Sequence, residues 1–164
     1  MKALFIGGVK SGKSRLAEEY TLKNATSKPF YLATTEFIDQ EMQERIAHHK
    51  RQRQEKFITL EEPLYIDKII QEHTGNILVE CLSMWINNML YHGFSFKAMQ
   101  EQIQNIMKEN KNVVFVLNDV GSGIIPDNAL AREFVDISGK IAHLIAQDAD
   151  EVFHVIAGIG TKIK

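Results

Sequence analysis

Eight residues near the start of the chain, Gly7-Gly8-Val9-Lys10-Ser11-Gly12-Lys13-Ser14, fit the pattern G-x-x-x-x-G-K-[ST] throughout. Their types suit one task, which is holding a string of phosphates. Glycines let backbone N–H groups turn inward and cradle phosphate oxygens. Lys13 is expected to reach the outer phosphates, and Ser14 to ligate Mg²⁺. An apolar run, Ala3-Leu4-Phe5-Ile6, precedes the loop, and a helical stretch, Arg15 to Lys23, follows it. That strand–loop–helix context is what the motif requires, and the positive end of the helix adds to the field. The segment implies a nucleoside triphosphate as ligand.

Two further groups of residues could do chemistry on such a ligand. Glu80 closes the apolar run Ile77-Leu78-Val79. An acid at a strand end suits Mg²⁺, which takes few protein ligands beside phosphate oxygens and water. It also suits a helix cap or a salt bridge. The second group is Arg45-Ile46-Ala47-His48-His49-Lys50-Arg51-Gln52-Arg53. Adjacent helical residues point about 100° apart, so both histidines cannot face one target equally. Two readings stay open. One is the solvated basic face of an amphipathic helix. The other is a histidine nucleophile that attacks phosphorus, forms a phosphoramidate and divides one displacement into two. Nearby cations would disfavour imidazolium and stabilise leaving phosphates. No Cys or His lies at a zinc-like spacing from the pair.

Short apolar runs alternate with helical patterns and must position these groups. Strands are expected at Lys2–Ile6, Phe30–Thr34, Asn76–Cys81, Asn112–Leu117 and Glu151–Ala157, with Phe57–Leu60 as a short extra strand. Helices are expected at Lys13–Lys23, Gln40–Gln52, Leu64–Gln71, Ser83–Leu90, Phe96–Asn110 and Asn128–Gln147. In the last, Leu130, Phe134, Ile137, Ile141, Leu144 and Ile145 form one apolar stripe. The alternation predicts an α/β fold with a mainly parallel sheet and helices on both faces. Ligands of such sheets bind beyond the strands' carboxyl ends. Thr34-Thr35-Glu36, Glu80, Asn118-Asp119 and Gly158-Ile159-Gly160 all fall there. His73, His92, His143 and His154 lack the surroundings of the His48 segment, and Lys162 and Lys164 read as a solvated tail. The whole chain, 1–164, reads as one domain.

Bulk properties exclude several classes. The chain has 164 residues, 45% hydrophobic and 24% charged, with a net charge of −2. Nothing in that balance attracts nucleic acid or an acidic membrane. Cys81 stands alone, so no intrachain disulfide forms, which suits a reducing compartment. The first residues read as a strand rather than a signal peptide, and no apolar run has the length of a membrane span. The expected location is the cytoplasm.

Several ordered motifs together resemble one family. They are Gly7-Gly8-x-x-Ser11-Gly12-Lys13-Ser14, Tyr31-Leu32-Ala33-Thr34-Thr35, Glu41-Met42-x-x-Arg45-Ile46-x-His48-His49-Lys50, Glu80-Cys81 and Gly121-x-Gly123-Ile124-Ile125-Pro126. Asn128-x-Leu130-Ala131-Arg132 and Gly158-Ile159-Gly160-x-Lys162 extend the likeness nearly end to end. The chain resembles the bifunctional adenosylcobinamide kinase/adenosylcobinamide-phosphate guanylyltransferases of cobalamin biosynthesis. That resemblance implies a RecA-like P-loop domain assembling as a trimer. It implies phosphorylation of adenosylcobinamide by ATP or GTP. Transfer of GMP from GTP to adenosylcobinamide phosphate follows. By the same resemblance His48 is the guanylylated nucleophile, and His49, Lys50, Arg51, Gln52, Ala33, Thr34, Thr35, Glu61 and Glu80 contact the nucleotide. Ser14 and Glu80 serve Mg²⁺.

The chain departs from the family at four places. Asn118-Asp119 stands where Asn-Glu is usual, Gln54 where Pro is common, Phe57 where Trp is usual, and the stretch around His92–Phe96 is shorter. Two rivals remain on the residues alone. One is another small-molecule kinase without a covalent step, and the other is a nucleotide-dependent switch or assembly ATPase. No Asn-Lys-x-Asp guanine-reading motif is present to favour a switch.

Overall fold

The computed structural model describes residues 1–36 and 55–164. In chain order these form β1 (Lys2–Gly7), α1 (Lys13–Asn24), β2 (Phe30–Ala33), β3 (Ile58–Glu61), α2 (Ile66–Glu72), β4 (Asn76–Glu80), α3 (Leu82–Tyr91), α4 (Phe96–Lys108), β5 (Asn112–Asn118), α5 (Ala129–Asp148), β6 (Glu151–Ile156) and β7 (Ile159–Lys162). The strands build one sheet in the order β3-β2-β4-β5-β1-β6-β7. Every pairing is parallel except β6 with β7.

The central strands are nearly continuous in apolar residues because both faces are covered. Side chains alternate across a strand, so neighbours in sequence enter different cores. Leu4, Leu32, Ile77, Val79, Val113, Phe115 and Leu117 face α2, α3, α4 and α5. Ala3, Phe5, Tyr31, Leu78, Val114 and Val116 face the other way, toward Ala17, Leu16 and Tyr20 of α1. Trp85, Met89 and Met99 are fully buried in the first of these cores.

The expected strands and helices agree with those observed to within a few residues, Phe57–Leu60 appearing as β3. The expected helix over 40–52 lies outside the described residues. One expectation fails. The chain after β6 is not a loop and tail but an antiparallel hairpin. Ala157 (φ 51) and Gly158 (φ 83) turn it, both with the positive φ that two-residue hairpins use. Lys162 and Lys164 are correspondingly engaged. Lys162 donates to Glu151 Oε1 at 2.5 Å. Lys164 donates to the carbonyls of Ala146 and Gln147, both at 2.8 Å, and so caps the carboxyl end of α5. Period-two apolar alternation is absent from Ile159-Gly160-Thr161-Lys162, which is why periodicity missed this edge strand.

The last helix is longer than the strands it covers. Its 20 residues span about 30 Å, against roughly 23 Å for the seven of β5. Ile137, Ile141 and Ile145 are buried, but Leu130, at the head of the same stripe, is 62% exposed. The first turns of α5 therefore overhang the sheet's carboxyl edge. Asn128 starts the helix by accepting from the Ala131 N–H at 3.1 Å. Among the described residues no helix is long and apolar enough to cross a membrane.

Candidate nucleotide and phosphoryl-transfer site

Parallel register brings the chemically suggestive residues abreast. Ala33 is level with Glu61 on one side and Glu80 on the other. Gly7 is level with Asn118 and Val155. The phosphate loop, the Ala33–Thr35 stretch and both acids thus lie along one edge of the sheet.

The loop has the backbone its sequence demands. Gly12 takes φ 92 immediately before α1, and Lys10 takes φ 58. Ser11 N–H donates back to Gly8 O at 3.2 Å, closing the loop on itself. Gly8, Val9 and Lys10 are exposed, whereas Ser11 and Lys13 are buried. Lys13 Nζ donates to Gly8 O at 3.2 Å, so the ammonium lies against the loop's own backbone.

Ser14 Oγ donates to Glu80 Oε1 at 2.7 Å. This contact joins the end of the phosphate loop to the end of β4 across 66 residues of sequence. Two hard oxygens, a hydroxyl and a carboxylate, suit Mg²⁺ rather than a soft metal. Among the described residues no group of three or more His, Cys, Asp or Glu could hold a metal. A small ion that completes its shell with phosphate and water needs no such group.

Thr34, expected to contact the nucleotide, is built into the junction of β2 and β4. It is fully buried. Its hydroxyl donates to Cys81 O at 2.8 Å and accepts from Cys81 N–H at 3.1 Å. Its own N–H donates to Glu80 O at 3.3 Å. Those groups are spent on binding β2 to β4, so Thr34 acts as a strut beside Glu80. Ala33 and Thr35 are half-buried, and Glu61 is exposed. His48, His49, Lys50, Arg51 and Gln52 lie outside the described residues.

Two features escaped the sequence reading. Asn88, fully buried on α3, donates to Thr34 O at 2.6 Å and Pro63 O at 3.1 Å. Beside it, Trp85 Nε1 and Gln102 Nε2 each donate to Leu64 O at 2.9 Å. These donors satisfy carbonyls where the chain leaves β2 and β3, so they fix the edge that carries Thr35 and Glu61. The available signal was an amide amid the apolar residues of Leu82–Tyr91. His92 is the second feature. It pairs with Glu36, its Nε2 lying 2.9 Å from both carboxylate oxygens. Asp119, which the sequence already placed at this edge, orders the loop that follows it. Its carboxylate accepts from Gly121 N–H at 3.2 Å and from Ser122 Oγ at 2.7 Å, shaping the glycine-rich loop beside β1. Its N–H donates to Gly7 O at 2.9 Å.

Burial, and then the negative charge of Glu80, push the Cys81 thiol up to about 11. A thiol held there is thiolate in roughly one molecule per thousand at pH 8. Iodoacetamide at pH 8 is therefore expected to alkylate the folded chain about 100-fold more slowly than the chain in urea. Equal rates would contradict this environment. The same shift sets a sign for stability. Between pH 9 and about 11 the folded thiol keeps a proton that the unfolded chain releases, so stability falls as pH rises.

Comparisons with known proteins identify the family and the fold. The model of the family described as cobinamide kinase / cobinamide phosphate guanyltransferase matches residues 3–163. The bifunctional adenosylcobalamin biosynthesis protein CobU of Escherichia coli is 37% identical, with both chains covered in full. That of Salmonella typhimurium is 36% identical, also over all of both chains. CobP of Pseudomonas aeruginosa is 31% identical over 100% of this chain and 98% of its own. Among solved structures, a type III secretion ATPase superposes with TM-score 0.53 at 12% identity, covering 98% of this chain and 56% of its own. The flagellar accessory protein FlaH of Methanocaldococcus jannaschii gives TM-score 0.51 at 12% identity, covering 98% and 75%. Those two likenesses speak to the fold alone, which is a RecA-like P-loop fold. With its family model spanning all but the chain's extremities and full-length relatives above 30% identity, this chain belongs to the cobinamide kinase / cobinamide phosphate guanyltransferase family.

Proposed function

We propose that this chain phosphorylates adenosylcobinamide and then transfers GMP from GTP to the product, giving adenosylcobinamide-GDP. Residues 7–14 hold the triphosphate through loop amides and Lys13, with Ser14 and Glu80 as the Mg²⁺ ligands. When bound, Mg²⁺ neutralises charge on the phosphate oxygens. In the kinase step the aminopropanol hydroxyl attacks the γ-phosphorus of ATP or GTP, and the nucleoside diphosphate leaves. In the transfer step a His48 nitrogen attacks the α-phosphorus of GTP, forming a P–N bond as pyrophosphate leaves. A phosphate oxygen of adenosylcobinamide phosphate then attacks that phosphorus, and the P–N bond breaks to return the imidazole. His49, Lys50, Arg51, Gln52, Ala33, Thr35 and Glu61 surround the guanine nucleotide, with Thr34 holding the strand ends beneath it. Little covalent chemistry falls to any other side chain, so positioning and electrostatics carry the rate. The chain works as one domain, in the cytoplasm, within a homotrimer, and without nucleic acid or membrane partners.

The observation that carries this reading is the contact of Glu80 with Ser14, an acid set on the hydroxyl that ends a phosphate loop. It gains its substrates from the family match. The test is incubation with α-labelled GTP and Mg²⁺ followed by denaturation. Acid-labile, alkali-stable label on the protein is expected. Its absence under conditions where the chain binds GTP would leave the transfer step without support.

A further inference from the structure

The β6–β7 turn has no part in the chemistry above, yet it presses on the phosphate loop. Gly158 N–H donates to the Ser11 carbonyl at 2.7 Å. A Cβ added at Gly12 would lie 3.1 Å from Gly158 Cα, and one at Gly7 would lie 2.3 Å from Val155 O. A Cβ at Gly160 would lie 3.1 Å from Leu16 Cδ1 of α1. At Gly8 a Cβ would meet nothing within 4 Å. Closeness of β6 thus requires glycine at position 7, and at position 12 a side chain would crowd the turn. The hairpin is itself anchored, since Glu151 at the start of β6 accepts from both Lys162 and the Tyr20 hydroxyl.

The Ser11–Gly12 peptide shows what this contact can do. In a trans peptide the C=O and N–H point in opposite directions. Drawing the Ser11 carbonyl onto Gly158 therefore aims the Gly12 N–H away from the hairpin. We infer that the Ala157–Gly158 turn is a positioning element of the phosphate loop, holding the Ser11–Gly12 peptide in the orientation that binds phosphate. This rests on the reading that residues 7–14 grip a triphosphate. Gly158 keeps φ 83, which Asn tolerates and a β-branched residue resists. A valine there drives the turn off the loop, lowers the population of the competent loop and weakens binding in proportion.

The experiment measures equilibrium binding of Mg·GTP to the full chain, well below each variant's melting temperature. The variants are Gly158→Val, Gly158→Asn and Lys13→Ala. Gly158→Val is expected to raise Kd roughly tenfold, the size of one left-handed strain. Gly158→Asn stays within about twofold of the parent. A turn that served only the fold would lower melting temperatures and leave the Kd of folded protein unchanged. Parental affinity in Gly158→Val, with binding lost in Lys13→Ala, overturns the inference and spares the loop reading. Parental affinity in Lys13→Ala overturns the loop reading itself. If Gly158→Val does not fold, Gly158→Ala carries the test, with an expected weakening of about threefold and unchanged affinity as the refuting result.

Discussion

A His48→Ala chain is expected to carry no GMP after incubation with α-labelled GTP, and to lose guanylyl transfer by about 10⁴-fold or more. Removing the nucleophile removes the P–N bond, and nothing else in the proposed scheme can form it. The kinase step uses the same phosphate loop but no imidazole. Phosphorylation of adenosylcobinamide and affinity for Mg·GTP should therefore survive within a few-fold. That split separates loss of the nucleophile from loss of the fold. His49→Ala is the matched control, since it alters the neighbouring ring and leaves the P–N bond possible. Protein-bound GMP on His48→Ala would move the nucleophile elsewhere. Equal loss of both activities would favour a kinase-like enzyme whose His48 segment serves structure.

Glu80→Gln is expected to weaken Mg²⁺ by 10–100-fold and to depress both reactions at low Mg²⁺. Glutamine keeps the size of the side chain and an oxygen that can accept from Ser14, as Glu80 Oε1 does at 2.7 Å. What it loses is the charge. Activity plotted against Mg²⁺ concentration should shift to higher metal and recover much of its maximum. Ser14→Ala should add little to Glu80→Gln, because the two residues act through one ion. An unshifted Mg²⁺ curve in Glu80→Gln would take the carboxylate out of the metal's reach.

Much of the edge that carries the site was legible because each part has a local signature. The phosphate loop is contiguous, and its flanking strand and helix announce themselves by composition. Glu80 is visible as an acid ending an apolar run, and parallel topology alone places it near the loop. What the sequence hid depends on contacts between distant elements. Asn88, on α3, donates to both Thr34 O and Pro63 O. Nothing in the pattern around it says which carbonyls lack partners. The bonds that tie the Thr34 hydroxyl to the Cys81 backbone are equally invisible in the sequence. The β6–β7 hairpin was missed because an edge strand with exposed residues needs no alternation. Nothing local to Gly158 and Gly160 signals their closeness to Ser11 and Leu16.

The overhang of α5 has a dynamic consequence. Buried side chains clamp its lower half to the sheet, whereas its first turns extend past the strands beside the loop shaped by Asp119. One continuous helix thereby acquires a gradient of local unfolding. Amides near Leu130 exchange with solvent through cheap fraying, and those from Ile137 to Ile145 wait for larger openings. The first turns of α5 can therefore move without disturbing the buried half of the helix.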